Sequence, residues 1–200
     1  MNNRELRTNE ISMAEILIVY ATDHKGTHKM AEKIAAGVES IEGCKAILKL
    51  AEEATSDDIM AADALVLGSP VHMGCMDWRM KKFIDQQCGG LWMGDKVVGK
   101  VGAVFTCGSG FGNGGEGNEL TLLSMLNNLC ELGMVMVPLP KSAPGYAKGG
   151  AHWGPYGRAH NEDLTPIAGG LPEERSEACI QHGKNIARVA QALKGQKLMA

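Results

Sequence analysis

The chain has 200 residues, of which 44% are hydrophobic, and it carries a formal net charge of −3 at pH 7. This is enough apolar sequence for the core of one domain, and the absence of a basic stripe argues against nucleic acid as a partner. No run approaches the roughly 18 consecutive apolar residues of a membrane-spanning helix, so a membrane partner is not expected either.

The first residues are polar, and we expect residues 1–14 to form a flexible tail ahead of a single domain over 15–200. The opening MNNRELRTNEIS lacks the apolar middle of a secretory signal peptide, which indicates a cytoplasmic protein. The six cysteines are scattered, with no C-x-x-C pair. This pattern argues against disulfides, a zinc ribbon or an iron–sulfur cluster, and no metal site is predicted.

Strands and helices alternate along the chain. Residues 15–21, EILIVYA, form the continuous apolar run typical of a buried parallel strand, and residues 27–41 have the apolar spacing of a helix. Further strands are predicted at 44–50, 62–68, 98–107 and 134–138. A short helix is predicted from residue 57, because Thr55 and Ser56 can cap its start. Further helices are predicted over 76–88, 118–132 and 173–193.

This βαβαβαβαβα order predicts a doubly wound α/β fold, a five-stranded parallel sheet with helices on both faces and the flavodoxin-like strand order 2-1-3-4-5. Residues 138–172 do not fit the pattern, since they place six of the seven prolines between the fifth strand and the last helix. An insertion of this length is usually functional or takes part in assembly, and a solvated loop is the alternative.

The loop TDHKGT, residues 22–27, follows the first strand at the sheet edge where ligands bind in such folds. The hydroxyls of Thr22 and Thr27 can donate to phosphate oxygens, Gly26 permits close backbone approach, and the next helix presents its positive end. The loop is neither a Walker A motif nor a G-x-G-x-x-G fingerprint. It favours one terminal phosphate, with a plain capped turn as the alternative.

Two more unusual loops leave the same edge. In GSPVHMGCM, 68–76, Pro70 fixes the chain direction, Gly74 permits close approach, and His72 and Met73 lie where a flat ring can stack. The stretch TCGSGFGNGGEGN, 106–118, has six glycines and offers backbone groups to the edge of a polar heterocycle. A solvated histidine and a flexible linker are the alternatives. One loop that binds a phosphate and two loops that contact a flat ring together predict FMN.

At these loops the sequence resembles the WrbA family of flavodoxin-like NAD(P)H:quinone oxidoreductases, over about residues 16–193. The resemblance is carried by GSPVHMGCM together with FIDQQCGGLW (83–92), LGMVMVP (132–138), GPYG (154–157) and IAGG (167–170). Plain flavodoxins lack the last two motifs.

The resemblance implies three groups of cofactor-binding residues. They are Thr22, Asp23, His24, Lys25, Gly26 and Thr27 around the FMN phosphate, Pro70, Val71, His72, Met73 and Gly74 along the isoalloxazine, and Cys107, Gly108, Ser109, Gly110, Phe111 and Gly112 along the ribityl chain and ring edge. Lys25 stands at a family glycine, His72 at an arginine and Met73 at an aromatic residue. The family's long insertion after the second strand is missing.

The resemblance also implies substrate-binding residues and an assembly. Trp92 matches a tryptophan that reaches into the pocket of a neighbouring subunit, Glu131 stands where the family has a histidine near the flavin, and His24 stands at a tyrosine near the nicotinamide. The family forms tetramers, so a homotetramer with sites at subunit junctions is expected. Trp92 as a core residue and Cys107 as a small loop residue are the alternatives.

The implied activity is FMN-dependent transfer of two electrons from NADH or NADPH to a small-molecule quinone by a ping-pong mechanism. His72 and His24 are the catalytic candidates, shaping the pocket and helping to donate protons. Two other functions remain open on the sequence: a flavodoxin-type one-electron carrier, and a non-catalytic regulatory module that keeps the fold without flavin.

Overall fold

The computed structural model of the protein describes residues 13–108, 117–161 and 163–199. The strands are β1 Ala14–Tyr20, β2 Cys44–Leu50, β3 Ala64–His72, β4 Cys75–Met76, β5 Val101–Gly108, β6 Val135–Met136, β7 Gly150–Ala151 and β8 Gly154–Arg158. The helices are α1 Gly26–Glu39, α2 Ser56–Ala61, α3 Trp78–Phe83, α4 Gly89–Met93, α5 Asn118–Glu131, α6 Tyr146–Gly149 and α7 Glu173–Leu193, with a π-helical turn at Ile84–Cys88 between α3 and α4.

The sheet has the predicted parallel arrangement with more strands than predicted. β2, β1, β3 and β5 pair in parallel in that order. The fifth position is shared: β6 pairs with the start of β5 and β8 with its end. The order 2-1-3-4-5 is therefore confirmed, while the five-strand count is wrong, because two short strands divide the last position and two hairpin strands, β4 and β7, are added.

Several predicted boundaries need correction. The predicted strand 134–138 keeps only β6, and Pro138, which has no N–H to donate, follows just after it. The strand predicted to end at 68 continues to His72 and turns back as a hairpin through β4. The predicted helix 76–88 begins at Trp78, capped by the side chain of Asp77, and continues through the π-helical turn into α4.

The insertion at 138–172 is not a structureless loop, since it contains α6, β7 and β8. β8 adds to the sheet, with Cys107 opposite Gly157, and so brings the insertion to the carboxyl end of β5. Ala14, which the prediction placed in the tail, already pairs with Cys44 in the sheet. Residues 1–12 lie outside the described residues.

Alternate residues of each central strand face opposite sides of the sheet and build two apolar layers. Leu17 and Val19 of β1 face the layer formed with α3 and α5. Ile16 and Ile18 face the layer formed with α1 and α7. These layers hold the carboxyl ends of β1, β3 and β5 side by side, which positions the three unusual loops. Within the described part of the chain, no helix has both the length and the apolarity needed to cross a membrane.

Candidate functional site

The loop after β1 leads directly into the start of α1, whose first two residues, Gly26 and Thr27, are buried. Lys25 is the N-cap and has a left-handed backbone, with φ of 63°, and no side chain caps the helix. The N–H groups of the first helical turn therefore lack intrahelical partners. Thr22 adds a buried hydroxyl oxygen with no hydrogen-bond partner among the described residues. Free N–H groups, a positive helix end and an unpaired hydroxyl form the donor set of an anion site.

The end of β3 forms the second wall. Val71 and His72 pair with Met76 and Cys75 in an antiparallel hairpin. The tip residues Met73 and Gly74 have positive φ values of 49° and 79°. Met73 is fully exposed at this tip, so within a single chain it stands away from the cleft.

The third wall is the end of β5, where Cys107 and Gly108 lie. Cys107 is buried, and burial raises the pKa of its thiol to about 12, with the positive charge of Arg175 acting in the opposite direction. The thiol therefore stays protonated near neutral pH and is a poor nucleophile. The predicted residues Ser109, Gly110, Phe111 and Gly112 lie outside the described residues.

These three walls enclose one cleft at the carboxyl edge of the sheet. The structure brings ten predicted residues to its lining, namely Thr22, Asp23, His24, Gly26, Thr27, Pro70, Val71, His72, Cys107 and Gly108. Lys25, Met73 and Gly74 belong to the same loops and are not part of that lining. Two residues that the sequence did not single out, Ala159 and His160, complete the cleft from the insertion.

A charged network ties the first loop to the second. The Nδ1 atom of His72 lies 2.8 Å from Asp77 Oδ2, and its Nε2 atom lies 3.0 Å from Asp23 Oδ2. Arg79 Nη2 donates to both Asp23 Oδ1 and Asp77 Oδ2 at 2.7 Å. The imidazole is thus held between two carboxylates, and a proton on either nitrogen meets an acceptor.

Asp77 is the buried centre of this network, with a side chain that is 0% exposed. Burial alone raises the pKa of Asp77, but hydrogen bonds from Arg79 outweigh burial and hold the pKa below its ordinary value. The backbone N–H of Asp77 donates to Ser69 Oγ, and Thr106 Oγ1 donates to the carbonyl of Ser69. The polar chain therefore runs from β5 through β3 to the cleft.

Asp23, His72 and Asp77 also lie close enough together to hold a metal ion, with ligand atoms within 4.8 Å of one another. Arg79, however, already donates to both carboxylates and places its positive charge where a cation would sit. We therefore interpret the cluster as a positioning network.

Trp92 and Glu131 lie together at a different cavity, between the π-helical turn and the end of α5. Trp92 is 49% exposed, so the core-residue alternative is wrong for the described chain. Neither residue lines the cleft of its own chain.

A parallel α/β sheet with one cleft over the carboxyl ends of β1, β3 and β5, bordered by an uncapped helix start, defines a flavodoxin-like protein. The sequence profile described as NADPH-dependent FMN reductase matches residues 2–148. The chain belongs to this family.

Similar proteins carry related descriptions. The chain is 34% identical to a flavodoxin of Aquifex aeolicus, with 92% of each chain covered. It is 33% identical to an NAD(P)H dehydrogenase (quinone) of Geobacter sulfurreducens, over 90% of this chain and 99% of the relative. Among solved structures, a WrbA-like flavodoxin from Agrobacterium tumefaciens aligns with a TM-score of 0.65 and 25% identity, over 90% of this chain and 98% of the other.

Proposed function

We propose that the protein is an FMN-dependent oxidoreductase that passes two electrons from NAD(P)H to a quinone. The observation that supports this most is the convergence of the first two predicted loops and the end of β5 on one cleft beside the uncapped start of α1. The relatives named NAD(P)H dehydrogenase (quinone) support the choice of donor and acceptor, since they match nearly from end to end.

The residues of the cleft fit FMN. Thr22 and the first-turn N–H groups at Gly26 and Thr27 would hold the phosphate, because they combine an unpaired buried hydroxyl with a helix end that no side chain caps. Cys107 and Gly108 would border the ribityl chain. Pro70, Val71 and His72 would border the ring system.

FMN supplies the redox chemistry, accepting hydride from a nicotinamide and passing electrons to a quinone. The chain supplies position and proton donors. His72, held from both sides by Asp23 and Asp77, presents a fixed ring at the cleft, and His24 lines the same cleft. We propose that donor and acceptor use this cleft in turn, which is a ping-pong mechanism. Cys107 takes no covalent part, because its thiol stays protonated.

The proposal is tested by loading the purified protein with FMN and measuring benzoquinone reduction driven by NADH and by NADPH. We expect parallel lines in double-reciprocal plots, the signature of a ping-pong mechanism. His72→Ala and His24→Ala should each lower kcat, whereas His152→Ala, an exposed change outside the cleft, should not. Unchanged quinone turnover in both cleft variants would remove their catalytic role.

We further propose a cytoplasmic homotetramer in which Trp92 enters a neighbouring subunit's site. The exposed indole and its absence from the lining of its own chain's cleft support this, since a tryptophan that serves its own site would line it. Sedimentation equilibrium should give four chains. A monomer, or a Trp92→Ala variant with unchanged KM for quinone, would argue against the assembly.

A one-electron carrier is the second candidate, because the relative from Aquifex aeolicus is described as a flavodoxin. The two candidates differ in their first step. An enzyme reduces its bound flavin with NAD(P)H directly, whereas a carrier needs a separate reductase. Anaerobic mixing of the FMN-loaded protein with NADPH decides between them by the loss of flavin absorbance.

A further inference from the structure

The insertion passes directly over the start of α1. A Cβ atom built on Gly26 would lie 2.6 Å from the Cβ of Ala159, so only a glycine lets the two segments approach this closely. Ala159 is held to the sheet by an N–H···O bond of 3.3 Å to Gly108. His160 follows Ala159 directly in the sequence. It is therefore held close to the start of α1, which is the proposed phosphate end of the cleft.

The backbone around His160 is closed into a tight loop. His160 forms a β-bridge with Pro166, and the N–H groups of Ile167 and Asn161 donate to Ala159 and Thr165 at 2.8 Å. The ring of His160 meets the ring of His24 edge-to-face, with centroids 5.4 Å apart at 87°. Two loops distant in sequence therefore place two imidazoles together.

The ring of His160 has a hydrogen-bonding atom left over. Its Nδ1 is buried and has no hydrogen-bond partner among the described residues, although the ring lines the cleft. A buried polar atom without a partner is costly, and a ligand in the cleft can supply the missing hydrogen bond. Among the described residues that line the cleft, none is lysine or arginine. Imidazole N–H groups are therefore the side-chain donors available for an anion there, besides the hydroxyls.

We propose that His160 is a cofactor-binding residue that donates a hydrogen bond to the FMN phosphate, next to His24. The proposal rests on the proposed function, because it assumes that FMN occupies the cleft. The FMN phosphate would then be contacted by the insertion as well as by the loop after β1. It also gives the insertion a role within the site of its own chain.

Riboflavin, which is FMN without the phosphate, tests the contact. Dissociation constants for FMN and riboflavin are measured by flavin fluorescence for the wild type, His160→Phe, His160→Asn and His152→Ala. Phenylalanine keeps the ring edge against His24 and removes both nitrogens. We expect His160→Phe to weaken FMN binding about 10- to 100-fold, as for a lost hydrogen bond to a charged group, and to leave riboflavin binding within about twofold. Asparagine keeps an N–H donor and should lose less, and His152→Ala should change neither affinity.

Equal weakening of FMN and riboflavin binding, no weakening of FMN binding, or equal losses in His160→Phe and His160→Asn would each overturn the assignment. The wild type separates this failure from failure of the proposed function: if it binds FMN and oxidises NAD(P)H, the function stands whatever His160 does. A wild type that binds no FMN refutes both. Should His160→Phe not fold by circular dichroism, His160→Ala serves as the donor-free variant.

Discussion

His182 on α7 should make the stability of the protein depend strongly on pH. The side chain is fully buried, and burial lowers its pKa from 6.5 to about 4. Neither ring nitrogen makes a hydrogen bond of regular geometry to a described residue, and a weak contribution from the backbone of Val104 offsets only part of the burial. The folded state therefore holds this imidazole neutral.

As the pH falls, the unfolded chain takes up the His182 proton before the folded chain does. Stability from the neutral ring is complete above about pH 6.5, is lost as the pH falls toward about 4, and changes no further below that. The two pKa values differ by about 2.5 pH units, which corresponds to a total loss of about 3 kcal/mol, of which about 2 kcal/mol falls between about pH 7.5 and 5.

Urea unfolding of the wild type and of His182→Leu, followed by circular dichroism across this pH range, measures the loss. All other titrating groups are common to both proteins, so the difference between their free energies of unfolding isolates His182. We expect that difference to shift by about 2 kcal/mol in favour of the variant as the pH falls from about 7.5 to 5. A difference that does not vary with pH would show that the folded protein does not hold His182 neutral.

Three further substitutions test other contacts. Asp77→Asn should lower the free energy of unfolding by about 3 kcal/mol or more, because it removes the charge of the buried partner in the ion pair with Arg79. Asp85→Asn on the surface should cost less than about 0.5 kcal/mol in the same urea titration. Gly183→Ala should cost about 1 to 3 kcal/mol, since its Cβ would lie 2.1 Å from a backbone oxygen of α1; Gly89→Ala, whose Cβ meets nothing within 4 Å, should not destabilise. Lys25→Gly should raise the midpoint temperature of unfolding. Lysine is strained in the left-handed backbone at this position and glycine is not, so the free energy of unfolding should rise by up to about 1 kcal/mol. A lower midpoint would show that the lysine side chain stabilises the protein by more than its backbone strain costs.

The spacing of apolar residues in the sequence predicted the central strands and the main helices of this fold well. The run around Ile16 and Val19 is apolar on both faces because both faces of β1 are covered by helices. The predicted spans 44–50 and 173–193 agree with β2 and α7 to the residue. Once the strands alternate with helices, the topology alone places the loops at 22–27 and 68–76 on the same edge, and the structure shows them there.

The parts that were missed depend on contacts between distant residues. GPYG, at 154–157, has the composition of a turn and becomes a strand because the end of β5 offers an unpaired edge. His160 reaches the cleft only through that pairing. Arg79 and Asp23 are 56 residues apart in sequence, so no local pattern indicates their ion pair. Asp77 had a local signal, since it lies in the first turn of the predicted helix 76–88, but its burial against His72 had none.

The most direct test is a visible absorption spectrum of the protein mixed with FMN, freed of unbound flavin by gel filtration, and then given NADPH and benzoquinone in turn without oxygen. We predict that about one flavin per chain stays bound, that NADPH bleaches it and that benzoquinone restores the colour. A colourless protein after gel filtration, or bound flavin that NADPH leaves unchanged, would contradict it.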